Sequence, residues 1–255
     1  MKGIDVLGNI ALLKFDRKDS MAKKKKEAEK ILKNMKSVST VLEKTGKFSG
    51  RLRTLKTKHL SGIRTTEAKY KENGCEFLFD IEKCYFSPRL SSERMEVAKM
   101  VKKKEKVLVL FAGVGPFAIT IAKIAKPRRI VSVELGKECN KYALENVKRN
   151  KVNVEIVQGD VRKKLPGMKD KFDRIVMARP NLEDSFLDVT FPRIRKGGIV
   201  HYYGFCAEDE LEAMKFMIKE EAVEAGRKIK IFKVKKAGDI GVKKWRYRID
   251  IKVSG

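Results

Sequence analysis

Residues 107–117 read VLVLFAGVGPF, and this stretch decides the fold. Val107, Leu108, Val109, Leu110 and Phe111 form an unbroken apolar run, the pattern of a parallel strand buried on both faces. It breaks at Gly113-Val114-Gly115, and a helix is predicted over residues 118–126. Glycines at such a turn allow close approach of the backbone to a ligand where a Cβ would clash. The next strand, predicted over residues 129–133, ends at Glu134, 21 residues after Gly113. An acid at that spacing can accept hydrogen bonds from both hydroxyls of a ribose. The unit is expected to bind an adenosine-containing molecule.

The same turn narrows the choice of ligand. A dinucleotide fingerprint places a third glycine and a pyrophosphate at the helix N-terminus, but here Pro116-Phe117 follows. Pro116 removes an N–H that an anion would use. S-adenosylmethionine, which has a ribose and an adenine but no phosphates, fits instead. A third strand over residues 154–157 leads to Gly159-Asp160-Val161, where Asp160 can accept from an adenine amino group. A fourth, over residues 173–177, leads to Ala178-Arg179-Pro180. Strands alternating with helices predict a doubly wound α/β sheet with its ligand at the carboxyl ends of the strands.

At 255 residues the chain suits one large or two smaller domains. We expect a small α+β, RNA-contacting domain over residues 1–90 and a Rossmann-like domain over residues 91–255. In the first, residues 4–15 read as two strands around Gly8-Asn9, followed by a helix over residues 21–35. Short strands are predicted over residues 38–42, 51–57, 67–70 and 77–85. In the second, a helix over residues 91–103 precedes the sheet. A fifth strand over residues 199–203, a helix over residues 208–225 and an antiparallel hairpin (residues 229–235 and 245–253, turning at Gly238-Asp239) complete it.

The composition limits the partners. The formal net charge is +27, from 60 Lys and Arg against 33 Asp and Glu. Such a field favours a polyanion such as nucleic acid. The excess concentrates in residues 21–72. The run Lys23 to Lys26 reads as a solvated helix face, whereas Arg51, Arg53, Lys56 and Lys58 alternate with Leu and Thr, so a strand there would present one basic face to RNA. No apolar run approaches the ~20 residues that span a bilayer, and the opening residues do not read as the n-region and h-region of a signal peptide. Cys75, Cys84, Cys139 and Cys206 are scattered and read as reduced thiols of a cytoplasmic protein. With only His59 and His201, no zinc site is expected.

Three strings make the chain recognisable: Tyr85-Phe-Ser-Pro-Arg-Leu-Ser-Ser-Glu93-Arg94, Phe111-Ala-Gly-Val-Gly-Pro-Phe117 and Ile199-Val-His-Tyr-Tyr203. With the opening IDVLGNIALLKF and the Glu72-Asn-Gly-Cys75 stretch, they resemble the archaeal and eukaryotic type of tRNA guanine-37 N1-methyltransferase. The resemblance implies a class I S-adenosylmethionine methyltransferase sheet with a small N-terminal α+β domain. It also implies methyl transfer to N1 of the guanosine 3′ of the anticodon, by a protein acting as a monomer on the anticodon region of tRNA. Guanine N1 carries a proton, so the site needs a base near N1 and a donor near O6. The resemblance assigns these to Glu93 and Arg53, with Arg89 organising Glu93 or an RNA phosphate. Phe111, Gly113, Gly115, Glu134, Asp160 and Ala178 would hold the cofactor, and Tyr85 would line its pocket or stack on a base. Tyr202 and Tyr203 read as core or pocket wall.

Two departures stand out. The family usually carries a further N-terminal domain that contacts the outer corner of tRNA, and this chain begins where that domain would end. The family's fourth strand usually ends in Asn-Leu-Pro or Asn-Pro-Pro, where the Asn helps hold the base. Here Ala178 replaces it and Asn181 lies three residues on. A related wybutosine-pathway transferase, which moves the cofactor's aminocarboxypropyl group, also lacks that Asn but typically lacks the Arg retained here as Arg89. Another relative methylates a tricyclic wybutosine precursor at the same position.

Overall fold

A computed structural model of the chain describes residues 3–46 and 49–255. The front of the molecule is a four-stranded sheet. Strands β1 (Gly3–Leu7) and β2 (Ile10–Lys14) form the expected hairpin, α1 (Met21–Asn34) crosses over, β3 (Thr40–Lys44) returns parallel to β2, and β4 (Thr57–Gly62) pairs antiparallel with β3. Ala11, Leu13, Val41 and Leu60 of the sheet bury Ala28 of the helix. A hairpin follows, β5 (Glu67–Glu72) and β6 (Cys75–Asp80), turning on Asn73 and Gly74, both at positive φ.

The rest is the doubly wound sheet. In chain order it runs α2 (Ser91–Met100), β7 (Lys106–Leu110), α3 (Pro116–Ala125), β8 (Arg129–Glu134), α4 (Lys137–Asn150), β9 (Glu155–Gln158), α5 (Val161–Lys164), β10 (Phe172–Met177), α6 (Leu187–Thr190), β11 (Ile194–Ala207), α7 (Leu211–Glu224), β12 (Ile229–Gly241) and β13 (Lys244–Val253). The strand order is β12-β13-β11-β10-β7-β8-β9. The five strands from β11 to β9 are parallel, and β13 lies antiparallel between β11 and β12. The chain winds from β7 outward to β9 and then returns to β10 on the other side of β7. That reversal opens a crevice at the carboxyl ends of β7 and β10.

Three local expectations are corrected. Residues 51–57 do not form a strand: Gly50 and Arg53 take positive φ, Arg53 N–H donates to the Gly50 carbonyl at 3.0 Å, and β4 begins only at Thr57. The alternating charges therefore sit on a tight turn. Strand β6 stops at Asp80, which leaves Tyr85 in the loop before α2. The last hairpin turns at Val242-Lys243, and Gly238 lies in a register shift between Lys236 and Asp239. Cys75, Cys84, Cys139 and Cys206 are buried and unbridged. No helix among the described residues is long and apolar enough to cross a membrane.

The face of the sheet under α2 is charged and dry. Register sets His201 opposite Asp250, Tyr203 opposite Arg248 and Phe205 opposite Arg246 across β11 and β13. Arg248 is fully buried and meets Glu93 at 2.7 Å, Glu96 at 2.6 Å and Asp250 at 3.0 Å. His201 Nδ1 lies 2.6 Å from Asp250, and its Nε2 lies 2.7 Å from Arg174 Nη1, itself paired with Glu105. Since a guanidinium only donates, Nε2 accepts and Nδ1–H donates, which is the neutral tautomer.

Two stability predictions follow from these contacts. Asn146 on α4 donates to the Leu78 and Val114 carbonyls at 3.0 and 3.2 Å and accepts from Leu78 N–H at 2.8 Å. Asn146→Ala orphans these buried groups and is expected to cost about 3 kcal/mol, with faster amide exchange across β6. Burial pushes the His201 imidazole below its ordinary value of 6.5, against the pull of Asp250. The folded chain thus refuses a proton that the unfolded chain takes. This contribution to stability is complete above pH 6.5 and is lost as pH falls from there through the folded value. The melting temperature should fall between about pH 7 and 5, and more steeply for the wild type than for His201→Gln.

Candidate functional site

The crevice at the strand ends is a pocket to which each neighbouring strand contributes its first loop residues. Phe111, after β7, takes a left-handed φ of 57° and packs its ring edge-on against Phe186 at 4.9 Å. A bulky residue held in that region marks backbone strain at the site. Gly113 N–H donates to Glu134 Oε2 at 2.8 Å and Gly136 N–H to Oε1 at 2.7 Å. These bonds fix the carboxylate at the end of β8, while burial pushes its pKa up against them. Asp160 caps α5 by accepting from Arg162 N–H at 2.8 Å, and its other oxygen accepts from Arg51 at 2.7 Å. Ala178, Arg179 and Pro180 form the wall after β10.

The glycines act differently from expectation. A Cβ on Gly113 would meet only the Tyr85 carbonyl at 3.7 Å, so its φ of +57° is what demands glycine there. Gly115 does not line the pocket. It caps α3 at φ +87°, and a Cβ there would press on Ile119 at 3.1 Å.

The basic turn at residues 50–53 hangs over the opening: Arg51, Leu52 and Arg53 all line the pocket. The Arg53 guanidinium lies 4.1 Å from the centre of the Tyr85 ring. Beyond these two residues is a second cavity, a groove of about 580 Å³ that includes Asp5, Phe86, Arg89 and Asn181. Arg53, Tyr85 and Arg246 belong to both walls. Asn181 therefore faces the groove rather than the pocket. Arg89 is 76% exposed, 3.9 Å from Asp5, and paired with no part of Glu93.

Glu93 is not on the pocket surface. It is buried behind Tyr203, with Oε1 2.5 Å from Lys235 and Oε2 2.7 Å from Arg248, and the Tyr203 hydroxyl donates to Oε2 at 3.3 Å. Tyr203 itself lines the pocket. Sequence reasoning thus found the carboxylate but not the hydroxyl in front of it. It also missed Arg246 and Arg179. Arg246 lies 5.2 Å from the Phe205 ring, and burial lowers its pKa against the opposing pull of Tyr85. Arg179 is buried, sits 5.4 Å from the Tyr202 ring, and donates to the Leu182 and Asp184 carbonyls, which pins the loop after Pro180. The charged alternation Arg246, Arg248, Asp250 was the available signal.

Chemically, the pocket offers two carboxylates as acceptors beside an apolar slot of Phe111, Leu135, Val161 and Leu182. That set suits a ribose and a flat base. Residues 68–232 match the family described as the TRM5/TYW2 methyltransferase domain. The chain is 35% identical over 252 residues to "tRNA (guanine(37)-N(1))-methyltransferase Trm5b" of Pyrococcus abyssi, covering 98% of this chain and 74% of that protein. The crystal structure of that protein superposes with a TM-score of 0.86 over 100% of this chain and 76% of the other. Identity is 33% to "tRNA (guanine(37)-N(1))/4-demethylwyosine(37)-methyltransferase Taw22" of Nanoarchaeum equitans, over 97% and 98% of the two chains. M. jannaschii TYW2, solved in complex with AdoMet, is 25% identical with a TM-score of 0.76 over 99% of each chain. Glycine turn, acid pair, crevice and relatives agree, and the chain belongs to the TRM5/TYW2 methyltransferase family.

Proposed function

We propose that this chain methylates N1 of guanosine 37 in tRNA, the nucleoside 3′ of the anticodon, with S-adenosylmethionine as the donor. The observation that carries this reading is the wall shared by the two cavities: acids and an apolar slot on one side, a groove with Arg89 on the other, and Arg53, Tyr85 and Arg246 between them. The relatives named for the same reaction support it. The residues fit the cofactor: Glu134, held by two backbone donors, would take the ribose, Asp160 lines the same pocket, and Pro116 removes an N–H that a phosphate would use. Bound there, the sulfonium supplies an already activated methyl group.

The protein's task is then positioning and proton handling. A flipped-out base would enter from the groove. Arg53 would donate to O6, where charge builds as N1 loses its proton. Arg89, exposed in the groove, would meet RNA phosphate. Glu93 would be the final proton acceptor. The front unit, residues 1–90, would be the RNA-contacting part. Ala178 favours a second substrate: without the amide usual at this position the wall is smaller, which suits a tricyclic guanosine derivative at position 37, as named for the Nanoarchaeum relative.

The decisive assay uses unmodified tRNA with cofactor labelled separately on the methyl carbon and on the aminocarboxypropyl chain, followed by nucleoside analysis. Methyl label in 1-methylguanosine is expected; label arriving only from the aminocarboxypropyl chain would overturn the reading. Glu134→Ala should weaken cofactor binding about 10- to 100-fold by calorimetry, the scale of a lost charge-assisted hydrogen bond. An unchanged Kd would remove Glu134 from the cofactor site.

A further inference from the structure

We propose that the Tyr203 hydroxyl is the group that takes the proton from guanine N1, passing its own proton to the Glu93 carboxylate behind it. This rests on the reading of the reaction given above. It follows from where the two groups stand: both are buried, but Tyr203 lines the pocket and Glu93 does not. The two are joined by a hydrogen bond of 3.3 Å. Such bonds are often long without substrate and tighten once it is bound.

The other groups on the wall do not fill this role. Arg51, Arg53, Arg179 and Arg246 only donate, the Tyr85 hydroxyl is held by Arg246, and the Cys139 thiol turns to the Lys83 carbonyl. The Glu134 oxygens hold the Gly113 and Gly136 amides, and Asp160 is committed to Arg162 N–H and Arg51. Burial and the nearby Glu93 push the Tyr203 pKa well up, so its hydroxyl stays protonated and works only by passing a proton on. Arg248 and Lys235 grip Glu93 from the far side and hold the acceptor still. In the step, the N1–H bond breaks and its proton goes to Tyr203 Oη, while the Tyr203 proton goes to Glu93. The N1–CH₃ bond forms as the carbon–sulfur bond breaks, leaving its electron pair on sulfur. Glu93 then releases its proton to water beside Lys235, whose side chain is 37% exposed.

Tyr203→Phe removes the hydroxyl and leaves the Glu93 ion pairs intact. Single-turnover methyl transfer to guanosine 37 should fall about 10²-fold, the usual scale for losing proton transfer, with Kd for cofactor and for tRNA within about twofold. The variant's rate should climb about tenfold per pH unit on the alkaline side, where only guanine already ionised at N1 reacts, so the gap to the wild type narrows. Adding Glu93→Gln to Tyr203→Phe should cost little more, as for residues that act as one unit. A Tyr203→Phe enzyme within twofold of wild type would overturn the relay. So would a loss that tracks weakened ligand binding, or one that is constant across pH. A wild-type enzyme that transfers no methyl group to guanosine overturns the reaction itself, an outcome distinct from any of these.

Discussion

Arg248 has no contact with solvent, and a buried guanidinium is tolerable only when it is paired and hydrogen-bonded. It draws Glu93 and Glu96 of α2 to one edge and Asp250 of its own strand to the other. That single requirement fixes how α2 lies on the sheet, and with it the hairpin that supplies Lys233 and Lys235. Removing one partner from such a set leaves an uncompensated buried charge and costs about 3–5 kcal/mol.

The basic turn brings the front unit over the pocket opening. Arg51 reaches Asp160 across the opening, while Arg53 covers Tyr85. Arg51 is half exposed, so this pair contributes little to stability. Its value is geometric: it sets the turn where a ligand on Asp160 and a base arriving at Tyr85 would both touch it. The Asn146 and Asn150 side chains bond to the backbone of the β5–β6 hairpin and hold the segment leading to Tyr85 against α4. Elements distant in sequence thus converge on one wall.

What the sequence made legible was local. The strand, the glycine turn and the acids Glu134 and Asp160 lie within a few residues of the features that position them, so spacing alone brought them to one pocket. Tyr203, Arg246 and Arg248 owe their roles to the pairing of β11 with β13, and no short window contains that register. Alternation in β13 shows that it has two faces, but not that its charged face is buried as well as its apolar one. Arg51 and Arg53 misled for the converse reason: alternating charges mimic a strand, and the positive φ at Gly50 and Arg53 that makes a turn is a backbone property. Glu93 was found through its motif, yet its concealment behind Tyr203 depends on two other elements.

The wall after β10 shows how a lost polar group is accommodated. Where the family usually presents an amide to the base, Ala178 presents a methyl group. In the loop that follows, Arg179 is turned inward, over Tyr202, onto the carbonyls of Leu182 and Asp184. One nitrogen of this buried guanidinium answers two backbone acceptors of the loop, while its Nε has no hydrogen-bond partner. Shape on this side is therefore set from within the protein, while Arg53, Tyr85 and Arg246 supply polar groups to the wall shared by the two cavities. Under the proposed reading, such a site would meet the acceptor edge of its base with these groups and face the other side with the Ala178 methyl, an arrangement that a guanosine and a larger tricyclic derivative could share.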